Sequence, residues 1–178
     1  MSVDDLRLHT PRLTLRRFKV SDLAALTAYR HDPVVVQFQG FRSDETEDEL
    51  CQFIVDMQTC APLSGLQIAV ALRQTDALIG DVYLRGIMDA QAEIGYTFAR
   101  QHQGHGYATE AVTRLLDYCF ADLALHRVIA ICSARNAASI KLLTRIGMRR
   151  EAHMRESYRY SGEWHDEFQY AMLRQEWQ

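Results

Sequence analysis

Two glycines, Gly104 and Gly106, sit where the apolar pattern of this chain changes period. Upstream, residues 66–72, 77–84 and 92–98 are short β-like runs, the first two parted by the polar turn Arg73-Gln74-Thr75-Asp76, and an antiparallel meander is their natural reading. Downstream, Ala108, Ala111, Val112, Leu115, Leu116, Cys119 and Phe120 form one continuous helical stripe. Glycine accepts positive φ and lets an anion approach the backbone without a Cβ in the way. The start of the following helix aims unpaired N–H groups and positive dipole density outward. Such a turn predicts a seat for a pyrophosphate.

The flanks supply the rest of one α/β domain spanning residues 1–178, a length that fits a single core. Leu6, Leu8, Leu13 and Leu15 alternate about Thr10-Pro11, which suggests one interrupted, half-buried strand. Ser21 reads as the N-cap of a helix carrying Leu23, Leu26 and Tyr29 and ending before Pro33. A capping box at Thr46-Glu47-Asp48-Glu49 opens an amphipathic helix with Leu50, Phe53, Ile54 and Met57 on its apolar face. After a strand at 127–132, Asn136 caps a short helix through Ile140, Leu143 and Ile146, with Gly147 placed as a left-handed C-cap. Strands at 148–158 and 164–173, joined near Ser161-Gly162, close the chain as a hairpin.

Bulk properties exclude several classes. The four cysteines lack C-x-x-C spacing and read as small core residues of a reduced compartment, and the seven histidines form no zinc-ligand pattern, so no metal is expected. A net charge of -3 gives no global attraction to nucleic acid or to an acidic membrane. The first 19 residues alternate in polarity and no long uncharged apolar run follows, which predicts a soluble, cytoplasmic protein.

Among phosphate-binding turns, a P-loop needs G-x-x-x-x-G-K-[ST], which does not occur. A dinucleotide fingerprint needs Gly or Ala where Thr109 stands, and an early parallel βαβ unit that the meander contradicts. The pyrophosphate of coenzyme A remains. Gln101-x-x-Gly104-x-Gly106 resembles the Q/R-x-x-G-x-G/A signature of the GNAT superfamily of N-acetyltransferases. Gly104-His105-Gly106-Tyr107-Ala108-Thr109-Glu110-Ala111 is similar to the run found in its branch of ribosomal-protein alanine N-acetyltransferases. Asn136-Ala137-Ala138-Ser139, Ile146-Gly147-Met148, the opening Thr10-Pro11-Arg12-Leu13-Thr14-Leu15-Arg16 and Asp166 extend the likeness over nearly the whole chain.

The resemblance implies an α/β (α+β) fold: a mixed, mostly antiparallel sheet of about six to seven strands, splayed in the middle, with about four flanking helices. It implies acetyl-CoA as cosubstrate and a primary amine, on a peptide or protein N-terminus or on a small molecule, as acceptor. Nucleic acid and membrane are not expected partners, and a homodimer stays open. Gln101, Gln103, Gly104, His105, Gly106, Tyr107 and Ala108 would hold the pyrophosphate. The backbone at Tyr96 and Phe98 would pair with the pantetheine arm, and Asn136 would hydrogen-bond the coenzyme. Ser139 would protonate the leaving thiolate, and Glu93 would take the amine's proton. Glu110 reads as a helix-start carboxylate, His126 has no assigned role, and Tyr158, Tyr160 and Trp164 read as cross-strand pairs. Many relatives carry basic residues where this chain has Gln101 and His105, so Arg100, His102 and His105 are the expected local positive charge. A non-catalytic acyl-CoA-binding module and an acyltransferase using a longer donor such as succinyl-CoA are the rival readings.

Overall fold

The structure is a computed structural model that describes residues 6–40, 42, 44–160 and 162–177. Its opening segment is a hairpin rather than one interrupted strand: β1 (Arg7–His9) and β2 (Leu13–Arg16) pair antiparallel. Thr10 causes the reversal. Its N–H donates to the Leu13 carbonyl at 3.0 Å and its hydroxyl accepts from the Leu13 N–H at 2.8 Å, closing a tight turn beside Pro11. All four β2 residues are buried, including Arg16, whose guanidinium is held by Asp22 at 2.7 Å and Asp76 at 2.8 Å.

The entrance to the first helix also differs from the expected cap. The chain passes through a 3-10 turn at Val20–Asp22 into α1 (Leu23–Arg30), so Asp22, not Ser21, stands at the helix entrance, with its carboxylate turned to Arg16. Pro33 starts a helix instead of only ending one. Asp32 accepts from the Val34 N–H at 2.9 Å and caps α2 (Pro33–Val36), where proline's missing N–H costs nothing at the first position. The α3 helix (Glu47–Thr59) carries the expected Thr46/Glu49 capping box and buries Leu50 and Ile54.

The meander is β3 (Ser64–Leu72), β4 (Leu78–Met88) and β5 (Gln91–Phe98). After the glycine turn, α4 (Tyr107–Asp117) buries Ala111, Val112, Leu115 and Leu116, and a π-helical turn at Tyr118–Asp122 follows. Then come β6 (Arg127–Ser133), α5 (Ala137–Arg145), β7 (Arg149–Tyr160) and β8 (Glu163–Leu173), with Gly147 in the left-handed region at φ 87°. The eight strands form one sheet in the order β1-β2-β3-β4-β5-β6-β8-β7, and α1 to α5 flank it. Every neighbouring pair is antiparallel except β5 with β6.

The parallel β5–β6 pairing runs from Gln91↔Arg127 to Ile94↔Ala130 and stops there. Beyond it, β5 stays with β4 as far as Phe98 and β6 stays with β8 as far as Ser133, so a wedge opens in mid-sheet. Each face of the sheet has its own core. One contains Ile94, Phe98, Leu115 and Leu143 under α4 and α5; the other contains Leu26, Tyr29, Leu50 and Ile54 under α1 and α3. Each fully buried leucine contributes roughly 2 kcal/mol of apolar transfer. Cys119 is buried in the first core, Cys60 and Cys132 are partly buried and pack against it, and Cys51 is partly buried.

Candidate active site

The glycine turn has the expected backbone. From Phe98 the chain passes a 3-10 turn at Arg100–His102, then places Gly104 at φ 78° and Gly106, the N-cap of α4, at φ 80°. A Cβ at Gly104 would meet nothing within 4 Å, so the constraint there is the backbone angle. After Gln103, the next N–H to bond back is that of Glu110, to the Gly106 carbonyl at 3.1 Å; the N–H groups of residues 104–109 donate to no group among the described residues. A run of free amides at a helix start suits an anion.

The turn is braced from the far end of the chain. Glu110 accepts from the Thr10 hydroxyl at 2.5 Å, the Arg12 N–H at 2.9 Å and the Arg12 Nε at 2.6 Å. Burial alone would raise the Glu110 carboxyl, but these bonds outweigh it and hold the group below its ordinary value. Arg12 also donates to the His105 carbonyl at 3.0 Å and lies 4.6 Å from the Tyr107 ring centre, with its side chain 49% exposed at the mouth of the turn. Arg12 belongs to the opening motif, where nothing in the sequence marks it for this contact. His102 is weakened as a cation: burial, then the neighbouring His105, lowers its imidazole.

A cavity of about 520 Å³ lies on the α4–α5 side. Tyr96, Phe98, Gln103, Gly104, Gly106, Tyr107, Ala108, Asn136 and Ser139 line it, whereas Gln101 and His105 fall outside its lining. The His105 ring stacks on Tyr107 at 5.8 Å, and the Gln103 amide turns back to the Phe98 carbonyl at 2.9 Å. Asn136 accepts from the Ser139 N–H at 3.0 Å as the α5 cap. The Ser139 and Tyr96 hydroxyls share a hydrogen bond of 2.8 Å, and burial pushes the Tyr96 phenol well above its usual value, so it stays protonated. The Tyr96 carbonyl accepts from the Gln39 amide at 3.4 Å.

A second cavity of about 660 Å³ is lined by Asp81, Tyr83, Glu93, Glu167, Tyr158 and Tyr160, among others. Both cavities reach Gln37, Phe38, Gln39, Tyr96 and Thr97. They meet where β5 leaves β6. Glu93 lines only the second, and Arg85 grips its carboxylate at 2.6 Å, so the expected proton acceptor is engaged in an ion pair. Tyr158 and Tyr160 pair with His165 and Glu163 across the hairpin, and Trp164 pairs with Arg159 and is 58% exposed. Asp81, Gln39 and Arg12 are the neighbours that sequence reasoning missed. Only the polar residue at an otherwise buried strand position could have flagged Asp81.

Free amides at a helix start on one side of a parted sheet, and carboxylates and phenols around a cavity on the other, suit an acyl-transferring enzyme, and that is the class of the known proteins this chain is similar to. Residues 12–149 match the acetyltransferase (GNAT) domain. The uncharacterized N-acetyltransferase YnaD of Bacillus subtilis is 33% identical over 97% of this chain and 99% of its own length. Among solved structures, a GNAT-family acetyltransferase from Bacillus anthracis superposes with a TM-score of 0.87 at 30% identity, covering 96% of this chain and 100% of that one. Spermidine N-acetyltransferase from Vibrio cholerae, solved with CoA and spermine, superposes with a TM-score of 0.83 at 25% identity, over 94% and 99% of the two chains. Ribosomal-protein N-acetyltransferases are also among the similar proteins. The chain belongs to the GNAT family of acetyltransferases.

Proposed function

We propose that this protein transfers an acetyl group from acetyl-CoA to a primary amine by direct attack within a ternary complex, the whole chain acting as one catalytic unit in the cytoplasm. The observation that carries this reading is the meeting of two cavities at the parted strands, one floored by free amides, the other lined by carboxylates and phenols. In it, the amides of residues 104–109 grip the pyrophosphate, with Arg12 adding charge where Gln101 and His105 supply little. The edge of β5 at Tyr96 and Phe98 receives the pantetheine arm as an added strand. Ser139, held by a hydrogen bond to Tyr96, hands its proton to the departing thiolate and is reprotonated by the proton that the amide-forming nitrogen sheds. Asp81 and Glu167 beside Tyr83 and Tyr158 favour a cationic acceptor over an anionic one, Glu93 being paired with Arg85.

No helix among the described residues is long and apolar enough to cross a membrane. The test is thiol release from acetyl-CoA in the presence of polyamines, short diamines and peptides with free N-termini, with succinyl-CoA as a competing donor. Amine-dependent release supports the reading. Tight coenzyme binding without release from any amine would make the protein a sensor of acyl-CoA instead, and preference for succinyl-CoA would change the donor.

A further inference from the structure

The second cavity holds a buried carboxylate to which no catalytic step above is assigned. Asp81 is 3% exposed yet lines that cavity. Its Oδ2 accepts from the Tyr29 hydroxyl at 2.6 Å. Its Oδ1 makes no hydrogen bond among the described residues and is not among the atoms sealed from solvent without a partner, so it faces the cavity. Strand geometry fixes where it looks. Asp81, Tyr83 and Arg85 on β4 stand opposite Thr97, Gly95 and Glu93 on β5, and paired residues of a pleated sheet share a face. With ~3.4 Å per residue and ~4.8 Å between strands, the Asp81 Cα lies roughly 8 Å from that of Gly95, the first residue past the point where β5 leaves β6. Glu93 is two residues from Gly95 on the other side, but it is held by Arg85.

We propose that Asp81, and not Glu93, accepts the proton of the acceptor amine. This rests on the acetyl-transfer reading above. Oδ1 takes one proton from the acceptor's ammonium, directly or through one water. The freed nitrogen lone pair forms the N–C bond to the thioester carbonyl carbon. The C–S bond breaks, the thiolate receives the second proton lost by nitrogen by way of Ser139, and Asp81 returns its own proton to solvent.

The surroundings suit the task. Tyr29 and Arg30 face Asp81 from α1, Tyr83 and Arg85 share its strand, Glu93 stands on β5, and His165 and Glu167 lie across the cavity on β8. Burial raises the Asp81 carboxyl to about 6, against Arg30 and the Tyr29 hydrogen bond, and the equally buried Tyr29 phenol is pushed well above its usual value and remains a donor. A base that titrates near neutrality matches the need to deprotonate an amine at cellular pH.

The experiment begins with thiol release by the unmodified protein, using acetyl-CoA with spermidine, 1,4-diaminobutane and alanine-initiated peptides. No release with any of them condemns the acetyl-transfer reading, and the Asp81 role with it. With a substrate found, kcat/KM is followed from pH 5 to 9. The unmodified protein loses activity about tenfold per pH unit below an inflection near 6. Asp81→Asn lowers kcat/KM by ~100-fold or more and has no such inflection, while acetyl-CoA affinity by calorimetry stays within about twofold. Glu93→Gln keeps the inflection whatever its rate. Tyr29→Phe, which removes a donor to the charged carboxylate, moves the inflection upward. An inflection surviving in Asp81→Asn, lost in Glu93→Gln or unmoved in Tyr29→Phe overturns the proposal.

Discussion

Asp81→Asn should make the fold more stable at pH 8 while it disables the enzyme. The change removes a negative charge from a buried wall, keeps the side-chain shape, and leaves an oxygen for the Tyr29 hydroxyl. Burial raises the carboxyl from 3.8 to about 6, with Arg30 and Tyr29 opposing. The folded state therefore binds this proton more tightly than the unfolded chain does, so stability falls as pH rises between those two values and the loss is complete above the folded one. Roughly two pH units at about 1.4 kcal/mol each amount to ~3 kcal/mol, the cost of holding Asp81 charged, which Asn avoids. For a chain of this size about 2–4 °C of Tm accompany each kcal/mol, so the variant should melt roughly 6–12 °C higher at pH 8. By pH 4 the gain shrinks to under about a third of that. Calorimetric or urea-induced unfolding of both proteins at intervals from pH 4 to 8 measures this, since every other titrating group cancels in the difference. A gain of equal size at pH 4, or a loss at pH 8, would refute the reasoning and make Asp81 a plain structural acceptor.

Gly106→Trp places a bulky side chain at a left-handed position facing Arg12; coenzyme A binding by calorimetry should vanish, while far-UV dichroism keeps its shape and stability drops by about 1–2 kcal/mol. Ser139→Ala should lower kcat by about tenfold or more and change coenzyme affinity by less than about threefold; the opposite split would remove its proton-donor role. Glu110→Gln loses charge-assisted bonds to Thr10 and Arg12, so it should cost ~1–3 kcal/mol at pH 7 and weaken coenzyme binding. Because the Glu110 carboxyl is held below its ordinary value, its stabilisation is complete above about pH 5 and fades as pH falls, and the two melting curves should converge under acid.

Local physics was legible in the residues, and long-range partnership was not. The Thr46/Glu49 box, the α4 stripe, the Asn136 cap and the left-handed glycines at 104, 106 and 147 depend on neighbours within a turn, and each stands where its spacing put it. The opening hairpin was missed because alternation of leucines looks the same whether a strand continues or doubles back; only the Thr10 bonds to Leu13 decide it. Ser21 lies in the middle of the 3-10 turn before α1, and Asp22 closes that turn by accepting from the Lys19 N–H while Arg16, on another element, holds the same carboxylate. The Arg12–Glu110 brace spans most of the chain. Asp81 reads along the sequence as one polar residue in a strand, and its meaning depends on Tyr29 and on the wedge beside β5.

Letting β5 part from β6 creates an uncommon hazard, since bare strand edges recruit passing polypeptide and seed aggregation. Here two of the edge carbonyls, at Tyr96 and Phe98, are already occupied by the side-chain amides of Gln39 and Gln103. These glutamines imitate a neighbouring strand. They blunt the stickiness of the opening with side-chain amides in place of another main chain.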